Sequence, residues 1–252
     1  AIEKLETVVR ADPEFALAHA ELGIAYEALG APEKAAAAYR RAARLDPWSV
    51  DNSLGLARSA EQLGKYGQAA AAYRRTVELD SNYITAMLGT ARCSLRAGDY
   101  LQALTHCEMA EQAGAEPEEV HALRARVFEG QKDYGRAVEA YKRLLATDPQ
   151  NVDVLLALGI AHARAEQYDE ARQVLTSAAR MRPEDGRAYR HLGYCFAELR
   201  DADEAVGMYK RAIELDTGDW EAHRGLGVAY MLKARQTGEA RWKQMAVDHW
   251  RR

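Results

Sequence analysis

The chain has 252 residues, 48% hydrophobic and 29% charged, with six prolines and a formal net charge of −4. That length exceeds one compact domain of about 100–200 residues, and so small a charge argues against nucleic-acid binding through a broad basic surface. No stretch approaches the ~20 uninterrupted apolar residues of a membrane span, so direct membrane insertion is not expected, and three cysteines give no basis for a disulfide framework.

From the first residue onward the chain repeats itself. Alanine recurs at Ala1, Ala35, Ala69, Ala103, Ala137, Ala171 and Ala205, each 34 residues after the last, and a period of about 20–50 residues marks a stacked-repeat architecture. Four residues after each alanine stands Leu5, Tyr39, Tyr73, Cys107, Tyr141, Leu175 or Tyr209. A small residue precedes six of them by twelve: Gly23, Ala57, Ala91, Ala125, Gly159 and Gly193. Asp12-Pro13, Asp46-Pro47, Asp148-Pro149 and Arg182-Pro183 supply turns in a third register, with Asp80 and Asp216 in the same slot.

The unit Ala16 to Ser49 shows what repeats. Leu22, Ile24, Ala25, Tyr26 and Leu29 recur at helical spacing; Gly30-Ala31-Pro32 breaks the run, with proline suited to the first turn of a new helix. Ala35, Ala38, Tyr39, Ala42 and Leu45 form a second apolar stripe, which Asp46-Pro47 ends. Each unit is thus two antiparallel helices. One such pair cannot bury its own apolar face, so units stack.

The residues Leu22-Gly23, Tyr26, Ala35, Tyr39, Ala42 and Pro47, repeated as Leu192-Gly193, Phe196, Ala205, Tyr209 and Ala212, resemble the signature of the tetratricopeptide repeat (TPR) family. The resemblance implies an all-α, right-handed solenoid of helix-turn-helix hairpins, in a bacterial-type tandem array. It covers 1–15 as the second helix of a truncated repeat, complete repeats at 16–49, 50–83, 84–117, 118–151, 152–185 and 186–219, and an incomplete repeat at 220–252. Thr90 and Arg124 stand where leucine is expected and Ala115 where proline is, with Pro117 two residues on; looser packing is expected in repeats three and four. In the last repeat Glu239 holds the alanine slot, and Ala246 with Trp250 resumes the pattern seven residues late. The insertion is expected either to lengthen a helix or to bulge at Thr237-Gly238. Neither end carries a solvating cap, which fits an internal piece of a longer protein and leaves self-association through the ends open.

Catalytic chemistry is hard to find. The histidines lack helical metal-ligand spacing; His19, His121 and His223 share one slot but lie too many repeats apart to meet at one ion, so packing is favoured over metal binding. Gly225-Leu226-Gly227 has no third glycine and follows no strand, unlike a dinucleotide fingerprint. Cys93, Cys107 and Cys195 occupy apolar slots and read as buried free thiols ahead of a redox pair or nucleophile. Arg40-Arg41, Arg74-Arg75, Lys142-Arg143 and Lys210-Arg211 read as a solvated outer edge, without aromatics for base stacking. No enzyme activity, cofactor, metal or nucleic-acid partner is expected. Unpaired cysteines fit a reducing cytoplasm, although the absence of a starting Met leaves export or tethering open.

In the proteins the sequence resembles, one face of each first helix lines a concave groove. Carried onto this chain, the lining slots hold Leu54, Arg58 and Glu61, then Leu88, Arg92 and Arg96, then Arg126 and Glu129, then Leu156, Ile160 and Arg164, and finally Arg190, His191, Tyr194, Arg224 and Val228. The groove is mixed apolar and cationic. It lacks the carboxylate clamp of chaperone-binding TPR proteins, whose slots hold Ala20, Ile24 and Gly55, and the asparagine ladder of O-linked N-acetylglucosamine transferases. Arg58 has Glu61 and Arg126 has Glu129 one turn away, so local pairing is open for both. Arg92 has Arg96 on its face and no acid three or four residues away, which makes this pair the sharpest candidate for an external anion. The expected function is a non-catalytic scaffold holding a protein or peptide segment with acidic and apolar residues across repeats two to five. The alternatives are the recognition arm of a larger enzyme, such as a glycosyltransferase or peptidase, and a self-assembling scaffold.

Overall fold

In a computed structural model, residues 2–250 are described, and among them the chain is helical throughout, with no strand. The chain divides into two compact units, the first running through Gln131 and the second from Lys132. Unit 1 holds α1 (Ile2–Ala11), α2 (Ala16–Ala28), α3 (Pro32–Leu45), α4 (Val50–Gln62), α5 (Tyr66–Leu79), α6 (Ile84–Ala97), α7 (Tyr100–Gln112) and α8 (Pro117–Gly130). Unit 2 holds α9 (Tyr134–Thr147), α10 (Val152–Arg164), α11 (Tyr168–Met181), α12 (Gly186–Glu198), α13 (Ala202–Leu215), α14 (Trp220–Thr237) and α15 (Ala240–Trp250). Within each unit every helix packs chiefly on its neighbours in sequence.

The 34-residue alanines are where helices touch. Ala35, Ala69, Ala103, Ala137, Ala171 and Ala205 are all fully buried, because only a methyl group fits where two helix backbones approach. The aromatic four residues on fills the space beside them: the ring of Tyr39 lies against both Gly23 and Gly55, and that of Tyr73 against Gly89. A side chain on any of these glycines would enter the ring.

Two turn chemistries alternate. Between the helices of a hairpin one residue is left-handed, at Gly30, Gly64 and Gly98 in unit 1 and at Glu166 and Arg200 in unit 2, and Lys132 at the start of unit 2 is left-handed too. Glycine takes that conformation without a steric penalty, whereas the three side-chained residues hold it under strain. Between hairpins an aspartate carboxylate accepts the backbone N–H two residues on, from Asp12 to Glu14, Asp46 to Trp48, Asp80 to Asn82, Asp148 to Gln150 and Asp216 to Gly218. Such turns compete with the helix and end it.

The departures from the repeat pattern are absorbed locally. Thr90 is fully buried and its hydroxyl donates to the Ala86 carbonyl at 2.8 Å, while Arg124 pairs with Glu111 at 2.7 Å. The extra residues near the end lengthen α14 to 18 residues, and the chain reverses at a left-handed Gly238. Ala246 is then fully buried, and the Trp250 indole packs on Gly227 as tyrosine does in earlier hairpins.

Candidate functional site

In unit 1 the first helices α2, α4 and α6 carry a hydrogen-bonded ladder. Glu27 accepts from the Tyr39 hydroxyl at 2.9 Å and from Arg58 through Nε at 2.8 Å and Nη2 at 3.2 Å. One repeat on, Glu61 accepts from Tyr73 at 2.8 Å and from Arg92 at 2.7 and 3.1 Å. The Arg58 bonds hold the Glu27 carboxyl below the ordinary carboxylate range. Burial opposes ionisation of Glu61, but Arg92 and Tyr73 outweigh it, and its carboxyl is also lowered. Burial, reinforced by the acceptor carboxylates, pushes both tyrosine hydroxyls up, so they remain donors.

This ladder corrects the expectation for Arg92. Its guanidinium is not left to an external anion: it is held by Glu61, 31 residues earlier. Arg58 is paired with Glu27 instead of Glu61. The shift from one helical turn to the adjacent repeat follows from stacking, which sets residue i beside residue i+31 on the next first helix. At the following rung the acid position holds Leu95; Arg126 and Arg96 are exposed and make no ion pair among the described residues. The leucines are corrected too. Leu54, Leu88 and Leu156 are 7%, 6% and 5% exposed and belong to the helix-packing cores, so they offer a partner little surface.

Unit 2 brings other candidates together. Arg164, Arg190, Tyr194 and Arg224 border a cavity of about 520 Å³ on α10, α12 and α14, with Ile160, Ala163, His191, Ala197, Val228 and Tyr209 of α13 in its wall. Glu198 and Glu221 also line it. Through Ala197, Glu198 and Val228 it continues into a second depression bordered by Met231, Arg235 and Trp250. Tyr194 and Val228 are 39% and 51% exposed, an open apolar surface on this groove.

The three arginines are held differently. Arg190 pairs with Asp219 at 2.9 Å and Glu221 at 3.0 Å, while its Nε is buried without a partner among the described residues. Arg164 lies over the Tyr134 ring at 5.7 Å and Arg224 over the Trp220 ring at 5.6 Å, an attraction that leaves their N–H donors available. Burial, then Arg190 and Arg164, depresses His191 to about 4, so its imidazole is neutral at pH 7.

The signal for this cavity was present in the repeat register. One slot reads Ile24, Arg58, Arg92, Arg126, Ile160, Tyr194, Val228, and another reads Ala20, Leu54, Leu88, Ala122, Leu156, Arg190, Arg224. Polarity exchanges between them from unit 1 to unit 2. The acid slot changes with it, from Glu27 and Glu61 to Ala163 and Ala197, and the lost side chains leave space.

The cysteine thiols and two of the histidines are taken up by packing and turn contacts. Burial pushes the free thiols of Cys93 and Cys195 up to about 12 and that of Cys107 to about 11, which suppresses the reactive thiolate. His19 and His223 donate through Nε2 to the carbonyls of Pro13 and Thr217, at 3.0 and 3.1 Å, tying down the preceding turn. Among the described residues no group of three or more His, Cys, Asp or Glu could hold a metal ion, and no helix is long and apolar enough to cross a membrane.

Stacked helical hairpins, with Tyr39, Tyr73, Leu175 and Tyr209 packed on glycines and an open groove on the first helices, define a helical-repeat interaction protein. The chain belongs to the tetratricopeptide repeat family: profiles of that description match residues 1–48, 54–117 and 199–249, and 129–193. Members of the family generally mediate protein–protein interaction, and the fold is in general a non-catalytic scaffold. Small glutamine-rich tetratricopeptide repeat-containing protein 2 of Mycosarcoma maydis is 29% identical over 98 residues, covering 39% of this chain and 28% of that protein. BBSome complex member BBS4 of Bos taurus is 32% identical over 89 residues, covering 35% and 17%. The match thus spans less than a third of these relatives' lengths. Among solved structures, YrrB, described as a TPR protein with an unusual peptide-binding site, is similar with a TM-score of 0.61 at 20% identity, covering 74% of this chain and 96% of that one. Pseudomonas aeruginosa pilF has a TM-score of 0.59 at 22% identity, covering 82% and 94%. These structural likenesses bear on the fold.

Proposed function

We propose that this chain is a non-catalytic interaction module whose unit 2 holds a segment of a partner protein in the groove of α10, α12 and α14. The observation that carries this is the cavity of about 520 Å³ with an apolar wall of Ile160, Tyr194 and Val228. Arg164 and Arg224 on its rim retain free donors. Exposed apolar surface beside charged groups is what a partner segment buries and orients on. YrrB, whose structure is described as having a peptide-binding site, supports the same use of the fold. The site lies further along the repeats than Arg92 and Arg96.

A photo-crosslinking amino acid placed at Val228, with an outer-face control at Lys210, tests this in the native host. The expected result is a discrete cross-linked partner from position 228 and none from 210. Equal labelling from both positions, or none from 228, overturns the groove assignment.

A further inference from the structure

The two units treat the same slot in opposite ways, and the difference says what the cavity lacks. In unit 1 a carboxylate stands twelve residues before a tyrosine and accepts its hydroxyl, as Glu27 does from Tyr39 and Glu61 from Tyr73. In unit 2 the residue twelve before Tyr209 is Ala197. Both line the cavity, and Arg224 stands in the same wall.

Tyr209 cannot turn away to find another partner. Its ring is packed between Gly193 and Gly225, where a side chain on either glycine would collide with it. The residue is 4% exposed, its hydroxyl keeps contact with solvent, and it makes no hydrogen bond among the described residues. The hydroxyl faces the open cavity as an available donor, in the same wall as the Arg224 guanidinium, which makes no ion pair among the described residues. Arg224 lies one helical turn before Val228, the position that corresponds to Arg58 and Arg92 in the ladder. The tyrosine of a rung is therefore present, Val228 fills its arginine slot and Ala197 its acid slot, and Arg224 supplies a guanidinium from one helical turn away.

Building on the groove assignment, we propose that the partner supplies this acid: a glutamate or aspartate side chain of an internal segment enters the cavity, accepts the Tyr209 hydroxyl and pairs with Arg224. Its carboxylate takes the place that Glu27 and Glu61 hold within unit 1. A monoanion suits the cavity better than a phosphate dianion, because Glu198 and Glu221 also face it and like charges repel at this range. An internal segment suits it better than a chain terminus, because the groove runs on past Val228 to Met231 and Trp250, where apolar residues flanking the acid can be buried.

The test uses three fluorescein-labelled peptides titrated by anisotropy: an amide-capped Ala-Leu-Leu-Glu-Leu-Leu-Ala, the same peptide with glutamine at its centre, and the glutamine peptide with a free C-terminal carboxylate. The glutamate peptide is expected to bind the wild-type protein about tenfold more tightly than the capped glutamine peptide, the size of one charged hydrogen bond. That preference should fall in Tyr209→Phe and vanish when Arg224→Ala is combined with it. It should also vanish in Ala197→Glu, which restores the internal acid; Tyr209→Phe, which removes only a hydroxyl, decides the matter if Ala197→Glu fails to fold. Equal binding of the two capped peptides, or a preference undiminished in Tyr209→Phe, overturns the carboxylate while leaving the groove assignment intact. Tighter binding of the free-terminus peptide than of the glutamate peptide overturns the internal segment. If no peptide binds at millimolar concentration the acid-bearing segment is rejected, and cross-linking at Val228 then reports separately whether the groove is used.

Discussion

Arg92 donates two hydrogen bonds to Glu61, 31 residues earlier and one repeat away, at 2.7 and 3.1 Å. The pair ties adjacent hairpins together through their first helices, and Tyr73 fixes the carboxylate from below. A residue expected to meet a ligand is thereby part of the scaffold.

A double-mutant cycle on Glu61→Gln and Arg92→Ala should report a coupling of about 0.5–1 kcal/mol, the usual range for a partly exposed pair. Urea denaturation measures it. A coupling indistinguishable from zero would mean that the two side chains do not act together in solution.

The same ladder makes stability depend on acid. The carboxyls of Glu27 and Glu61 lie below the ordinary range in the folded chain. Their contribution is therefore fully present above the unfolded value of about 4.3 and is lost as pH falls through the folded values. The double variant Glu27→Gln, Glu61→Gln should be less stable at neutral pH, and the difference from wild type should shrink towards pH 3. Urea midpoints at both pH values check this.

His191 acts in a different window. Its folded value of about 4 lies below the ordinary histidine value because burial and the neighbouring arginines disfavour the charged ring. The unfolded chain takes up this proton first, so the folded state should lose stability as pH falls from about 6.5 to 4. In a two-dimensional NMR titration the His191 resonances should stay constant from pH 7 to 5 and move near 4; a midpoint near 6.5 would contradict the burial. A carboxylate bound in the cavity should raise that midpoint.

The left-handed slot gives a pair of opposite outcomes. Gly64→Ala should cost about 1 kcal/mol, because a Cβ opposes that conformation. Glu166→Gly should gain about 0.5 kcal/mol by relieving the same strain, less the added entropy of the unfolded chain. Both positions have positive φ, 68° and 61°. Thermal unfolding of the two variants is the measurement.

Ala171 tests the helix crossing directly. It is fully buried where α11 packs on its neighbours, and Ala171→Phe should overpack the crossing and destabilise the protein by about 1–3 kcal/mol. Wild-type stability in this variant would show that the crossing has room to spare.

What the sequence by itself determined is the periodic part. Ala35 and its successors, the tyrosines that follow them and the aspartate turns dictate paired helices, because each slot answers to short-range sterics repeated every 34 residues. The late resumption at Ala246 and Trp250 was equally legible, since adding residues preserves the pattern beyond them. The groove was legible only as a set of slots. Which guanidiniums are committed depends on contacts 31 residues apart, so Arg92 reads as available in the sequence and Arg58 as open to pairing with Glu61, whereas stacking gives them Glu61 and Glu27. Burial was decided in the same way: Leu54, Leu88 and Leu156 share a slot with Arg190 and Arg224, yet packing in the stack carries the leucines inward while the arginines border the cavity. The cavity itself depends on what is missing. Ala163 and Ala197 are unremarkable in an alanine-rich chain, and only the stacking of α10, α12 and α14 shows that their small size leaves Tyr209 facing an open space with its hydroxyl unpaired.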